Sequence, residues 1–85
     1  RFGEIDLIGY DGAYLVFFEI KYRKTAQCGT AAEAVTKGKQ RTICRVSDYY
    51  RLQRGIGEFT PIRYDVIGID KDEIQWIKNA FDYIR

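Results

Sequence analysis

Two apolar runs open the chain, GEIDLIGY over residues 3–10 and AYLVFFEIK over 13–21, with Asp11-Gly12 between them. Their richness in Ile, Leu, Val, Phe and Tyr predicts strands at 4–10 and 14–22, and the Asp-Gly pair predicts a two-residue hairpin turn. YLVFFEIKY is apolar on both faces up to Ile20, the pattern of a strand inside a sheet. Residues 23–36 are small and polar and read as a loop. A helix should run from Lys37 to Arg54, capped by Thr36 and stopped by Gly55 and Gly57. Ile43, Val46 and Tyr50, flanked by Leu52 or Tyr49, form its apolar stripe. IRYDVIGI at 62–69 predicts a further strand, interrupted by one acid at Asp65. The last segment is ambiguous. Ile74, Ile77 and Phe81 fit helical spacing, whereas Asp70-Lys71-Asp72 is also able to turn the chain back into a strand. The order of elements indicates a mixed α/β fold.

Composition narrows what such a fold can do. Eighty-five residues suffice for one domain, spanning 1–85, with a single modest core. An apolar fraction of 46% argues for a folded globule. No apolar run approaches the ~20 residues of a membrane span, and no signal peptide is visible. The expected location is therefore the cytoplasm. The chain opens on Arg1 directly before a strand and contains no Met, which suggests a fragment with an upstream element missing. Cys28 and Cys44 are too few for a zinc site, and two reduced thiols are the simpler reading. The sequence has no histidine, which removes Ser-His-Asp and Cys-His hydrolases and His-based nucleases. Catalysis by these residues would rest on carboxylates, Lys, Tyr or a hard metal ion.

Charge is segregated. The net charge is only +2, but residues 21–54 carry nine Lys/Arg against Glu33 and Asp48, a local +7 that leaves −5 elsewhere. Such a basic segment suits a polyanion, nucleic acid being the commonest; a solvated basic helix face is the alternative.

Asp6, Glu19 and Lys21 stand out as charges inside apolar runs, where burial is costly without a partner or metal. A two-residue Asp-Gly turn would pair Tyr10 with Ala13 and Glu4 with Glu19. Glu4, Asp6, Glu19 and Lys21 would then share one face, with Asp6 diagonal to Glu19 at roughly 7–8 Å between backbones. A three-residue turn would separate Asp6 from Glu19. Two carboxylates so close repel unless a cation lies between them, and an all-oxygen site suits Mg²⁺ or Mn²⁺. Such an ion would activate water for phosphodiester hydrolysis, with Lys21 steadying the developing charge. The alternative is a hairpin end whose charges pair in solvent, where such pairs contribute ~0–1 kcal/mol.

The blocks GEIDLI, LVFFEIK, EAVTKGKQ, RYDVIGI and WIKNAF, in this order, resemble the YraN-like family of bacterial proteins. The resemblance implies a restriction-endonuclease-like fold, with a central mixed sheet and a flanking basic helix, and kinship with archaeal Holliday junction resolvases. It implies that Asp6 and Glu19 are the metal-binding acids of a PD-(D/E)xK nuclease motif and Lys21 its catalytic lysine. Gln40 matches a downstream glutamine near such sites. Glu4 and Asp65 match family acids with accessory roles, Asp65 more as a structural hydrogen-bonding group than as a ligand. DNA, branched or otherwise structured, is the implied substrate. Arg23, Lys24, Lys37, Lys39, Arg41 and Arg45 would bind it, with Tyr22, Tyr49 and Tyr50 as further contacts. A homodimer would allow two strands to be cut symmetrically. Relatives carry an upstream helix with a glutamate that completes the acidic site. The resemblance also favours a strand for 73–78, and Trp76 and Phe81 read as core or dimer-contact residues. A non-catalytic nucleic-acid-binding or assembly module with the same fold is the competing reading.

Overall fold

A computed structural model describes residues 5–22, 31–71 and 73–85. Glu4, Arg23, Lys24, Cys28 and Asp72 lie outside the described residues, so their expected roles have no structural counterpart here. Four strands form one mixed sheet in the order β1-β2-β3-β4: β1 (Leu7–Asp11), β2 (Tyr14–Tyr22), β3 (Ile62–Ile69) and β4 (Ile74–Phe81). β1 and β2 are antiparallel, β2 and β3 parallel, and β3 and β4 antiparallel. A parallel pair needs a crossover, and the helix α1 (Lys37–Arg54) supplies it. The mixed α/β class is thereby established. β2 lies inside the sheet, as its two apolar faces require.

The hairpin register differs from the expected one. Asp11 pairs with Tyr14 and Ile8 with Phe17, so the turn residues are Gly12-Ala13 rather than Asp11-Gly12. Gly12, at φ +61°, occupies the first central position, where a type II′ turn takes glycine. The register moves by two residues, an even number, so every side chain keeps its face. β1 begins at Leu7 rather than residue 4, with Ile5 as an isolated bridge and Asp6 in a bend.

α1 has the predicted bounds. The Thr36 hydroxyl accepts from Lys39 N–H at 3.1 Å, and Gly55 adopts φ +64° at the C-terminal cap. Its buried face comprises Gln40, Ile43, Cys44 and Ser47, with Val46 and Tyr50 packed beside it. Tyr49 and Leu52 are exposed, which corrects their expected place on the stripe. This face covers Leu15, Phe17, Tyr64 and Val66, alternate residues of β2 and β3. Phe17 stacks on Tyr64 and Tyr64 on Phe81, with centroids 5.8 and 5.3 Å apart. Phe81 therefore belongs to the core. The Tyr64 hydroxyl meets Ser47 Oγ at 2.7 Å; burial pushes the phenol well above its ordinary pKa, so it stays protonated.

The final segment is a strand. Opposite Asp65, between the pairs Val66–Ile77 and Tyr64–Phe81, β4 carries two more residues than β3. The resulting bulge places Asn79 at φ +54°, and its N–H donates to Asp65 Oδ1 at 2.9 Å.

Candidate active site

Odd-numbered residues of β2 face α1. Past Phe17, the same face therefore presents Glu19 and then Lys21, while Val66 and Gly68 lie beside them on β3. Extending the hairpin register one residue beyond its ladder sets Asp6 opposite Glu19, closer than the expected diagonal. Asp6 is held there by β2. Its N–H donates to the Phe18 carbonyl at 3.3 Å, and its Oδ2 accepts from Ile20 N–H at 3.0 Å. The carboxylate thus continues the ladder where the β1 backbone leaves it. Asp6 and Glu19 thus face each other across the two strands.

Glu19 is buried. Burial raises its pKa and the Asp6 charge adds to the rise, against the opposing pull of the Lys39 and Lys21 ammonium groups. Lys21 Nζ lies 3.8 Å from Glu19 Oε2. Glu19 Oε1 is buried and meets no donor among the described residues. Gln40 projects from the first turns of α1 and is also buried. Its Nε2 donates to the Val35 carbonyl at 3.1 Å, which leaves Oε1 as a second buried acceptor without a donor among the described residues. An orphaned buried acceptor is expensive, so each of these oxygens calls for a cation or water.

The fit to a hard divalent ion follows from this donor set. Asp6, Glu19 and Gln40 offer oxygen only, and Mg²⁺ usually takes one or two carboxylates and completes its shell with water and substrate phosphate. Among the described residues, no three Asp, Glu, Cys or His side chains cluster to hold a metal by themselves.

Asp65 stands apart. It lies on the opposite face, where it accepts from Arg63 Nε (2.9 Å), Arg63 Nη2 (2.8 Å), Trp76 Nε1 (2.8 Å) and Asn79 N–H. Burial alone would raise its pKa, but donation from Arg63, Asn79 and Trp76 outweighs this and holds it below the ordinary carboxylate value. Its role is structural hydrogen bonding.

The basic residues divide into two groups. Lys37, Arg41 and Arg45 are exposed and four apart, so they form one row along α1. Arg41 and Arg45 line a shallow depression of about 120 Å³ with Asp48, Tyr83, Ile84 and Arg85, where the Tyr83 hydroxyl bonds Asp48. Lys39 is half-buried, and its charge pulls the Glu19 pKa down, an effect the charge count missed. Its place next to Gln40 in the first turn was the available signal. The Ile20 N–H and the Val35 carbonyl were also missed, because backbone partners leave no mark in composition. Tyr22 and Tyr49 are exposed, and Arg54 lies over the Tyr50 ring at 5.0 Å.

The described residues thus define a class: a mixed α/β domain with an acidic pair, Glu19 buried and Asp6 half-buried, on the sheet face that α1 covers. Residues 1–69 match the model of the uncharacterised protein family UPF0102. A UPF0102 protein of Lachnoclostridium phytofermentans is 48% identical over 82 residues, covering 96% of this chain and 70% of the relative. One from Legionella pneumophila strain Corby is 42% identical over 84 residues, covering 96% and 71%. One from Klebsiella pneumoniae is 43% identical over 82 residues, covering 95% and 64%. The chain belongs to the UPF0102 family, the YraN-like proteins.

No helix among the described residues is long and apolar enough to cross a membrane.

Proposed function

We propose that this chain is a restriction-endonuclease-like domain acting as a divalent-metal-dependent endonuclease on DNA, with branched or otherwise structured DNA as the preferred substrate. The observation that carries this reading is the buried Glu19 Oε1, without a donor among the described residues, on a carboxylate that faces Asp6 and neighbours Lys21. Asp6, Glu19 and Gln40 would hold Mg²⁺ or Mn²⁺. When bound, the ion supplies polarisation of a phosphoryl oxygen and a lowered pKa for water. The chain supplies position and charge. Ile20 N–H fixes the Asp6 carboxylate and Val35 fixes the Gln40 amide, while Lys21, 3.8 Å from Glu19 Oε2, would offset negative charge gathering on the phosphate. The Lys37–Arg41–Arg45 row would take backbone phosphates and supply affinity without sequence preference. The reading places the protein in the cytoplasm, with a homodimer matching a two-strand cut.

A second reading, a non-catalytic nucleic-acid-binding or assembly module, draws on the lack of a three-acid cluster among the described residues. One assay separates the two. Mg²⁺ or Mn²⁺ is titrated against linear and branched DNA with the parent, Asp6→Asn and Lys21→Ala. Metal-dependent cleavage abolished in both variants supports the nuclease. Binding without cleavage in all three proteins supports the module.

A further inference from the structure

Cations on the two sides of the sheet are balanced differently. On the side turned away from α1, Arg63 pairs with Asp11 and Asp65, and Lys78 with Asp11. On α1 and the tail that follows β4, Arg41, Arg45 and Arg85 are exposed and form no ion pair among the described residues. These three arginines line the depression of about 120 Å³ noted above, with room for about four water-sized groups. That is the size of a phosphate group, and too small for a base with its sugar.

The fold ends the basic row at this depression. Lys37, Arg41 and Arg45 run about 12 Å along one stripe of α1, starting in the turn that carries Lys39, whose charge acts on Glu19. Three residues past Arg45 the stripe reaches Asp48, whose carboxylate accepts from the Tyr83 hydroxyl and pairs with Arg51 at 3.9 Å. One turn back, Ile84 N–H reaches Cys44 Sγ at 3.4 Å, so the tail lies across the helix at this level. A strand backbone following the row away from the acidic site therefore meets a carboxylate and a crossing segment of chain after Arg45. Arg85, on that segment, adds its charge to the depression.

Three guanidinium groups at the closed end of a row suit a particular kind of phosphate. An internal phosphodiester carries one negative charge, whereas a terminal phosphate carries about −1.5 to −2 at pH 7 and offers three strong acceptor oxygens. Arginine forks match such oxygens in pairs. We propose that the depression seats the terminal phosphate of a DNA strand whose backbone follows the Lys37–Arg41–Arg45 row. The row's length would then hold the strand end about three or four phosphates from the acidic site, at ~3.4 Å each along a duplex strand. The inference rests on the proposed DNA contact of this row and does not require cleavage.

Fluorescence anisotropy of the full chain in chelator is the test, with internally labelled duplexes of one sequence ending in 5′-phosphate, 3′-phosphate or hydroxyl. One of the phosphorylated ends should bind the parent at least about tenfold more tightly than the hydroxyl end, each exposed guanidinium contributing about threefold. Arg85→Gln should cut that ratio about threefold without changing the circular dichroism, because the side chain is exposed. Lys37→Gln, outside the depression, should weaken both kinds of end alike and leave the ratio intact. A parent that binds phosphorylated and hydroxyl ends equally overturns the inference and leaves the row a plain backbone contact. A preference that Arg85→Gln does not reduce also overturns it, because the phosphate then sits elsewhere. A parent that binds none of the duplexes removes the DNA contact itself, and the inference with it.

Discussion

Glu19 has one carboxylate oxygen 3.8 Å from the Lys21 ammonium and another that is buried without a donor among the described residues. Without a bound cation, an ionised Glu19 beside Asp6 is a cost to the fold, because desolvation and a neighbouring carboxylate both disfavour its charge. Glu19→Gln removes the charge at nearly constant shape. In chelator at neutral pH it should raise the free energy of unfolding by about 1 kcal/mol, read by urea denaturation. Adding Mg²⁺ should reverse the order. An ion at about a hundred times its Kd would stabilise the parent by about 2.7 kcal/mol and the variant hardly at all. A variant less stable than the parent in chelator would show that Glu19 is a settled member of the core. The comparison thus separates a side chain held for binding from one held for packing.

At the scale of elements, the site depends on how closely the turn at 31–35 approaches β3. A Cβ on Gly68 would lie 2.7 Å from that of Ala31, so only glycine lets Ala31 seat against the strand. Val35, four residues on, holds the Gln40 amide. Gly68→Ala should therefore cost about 1–3 kcal/mol by overpacking and also weaken Mg²⁺ binding, measured by urea midpoint and by metal titration. Unchanged metal affinity would disconnect the turn from the site. The second element-scale dependence is the β4 bulge, tied to the buried Asp65. Its folded pKa lies below the ordinary 3.8, so its contribution is full above that value and lost as pH falls through it toward the folded value. Asp65→Asn should lose about 2–4 kcal/mol at pH 7 and flatten the acid limb of the stability profile. An acid limb as steep as the parent's would place that pH dependence on other carboxylates.

These elements also show which features a sequence can carry. The caps of α1 were legible because Thr36 and Gly55 act on their own neighbours. The shared face of Asp6, Glu19 and Lys21 was legible because strand periodicity survives an even slip in register. The slip itself was not, since Asp11-Gly12 and Gly12-Ala13 are both two-residue turns and the choice between them rests on pairing further along the hairpin. The β4 bulge was hidden for a similar reason: its cause, Asp65, lies fourteen residues from Asn79. Helical spacing in 74–81 was a local regularity overruled by pairing with β3. Gln40 comes from the family resemblance, and only the packing of α1 on the sheet shows that its amide is buried and held by the Val35 carbonyl.

The whole molecule separates its surfaces by charge, and that separation has a measurable consequence. The sheet keeps an apolar, charge-balanced face on one side, while α1 carries the Lys37–Arg41–Arg45 row on the other, next to Arg85 at the chain's end. If this row binds duplex DNA through phosphates, the logarithm of affinity must fall linearly with the logarithm of salt, by a slope of about 0.9 for each phosphate neutralised. Arg41→Gln with Arg45→Gln removes two charges without touching the buried face of the helix, where Gln40, Ile43, Cys44 and Ser47 make the contacts. The slope should drop by about 2, equally for unrelated duplex sequences, because the row offers backbone contacts rather than a base-reading element. Circular dichroism and the urea midpoint should change little, since both side chains are exposed. Fluorescence anisotropy of labelled duplexes across a salt series gives the slope directly. A double variant with the parent's slope would move the DNA contact off α1. A slope that changes for one sequence only would show that these arginines read bases, which phosphate-directed binding does not allow.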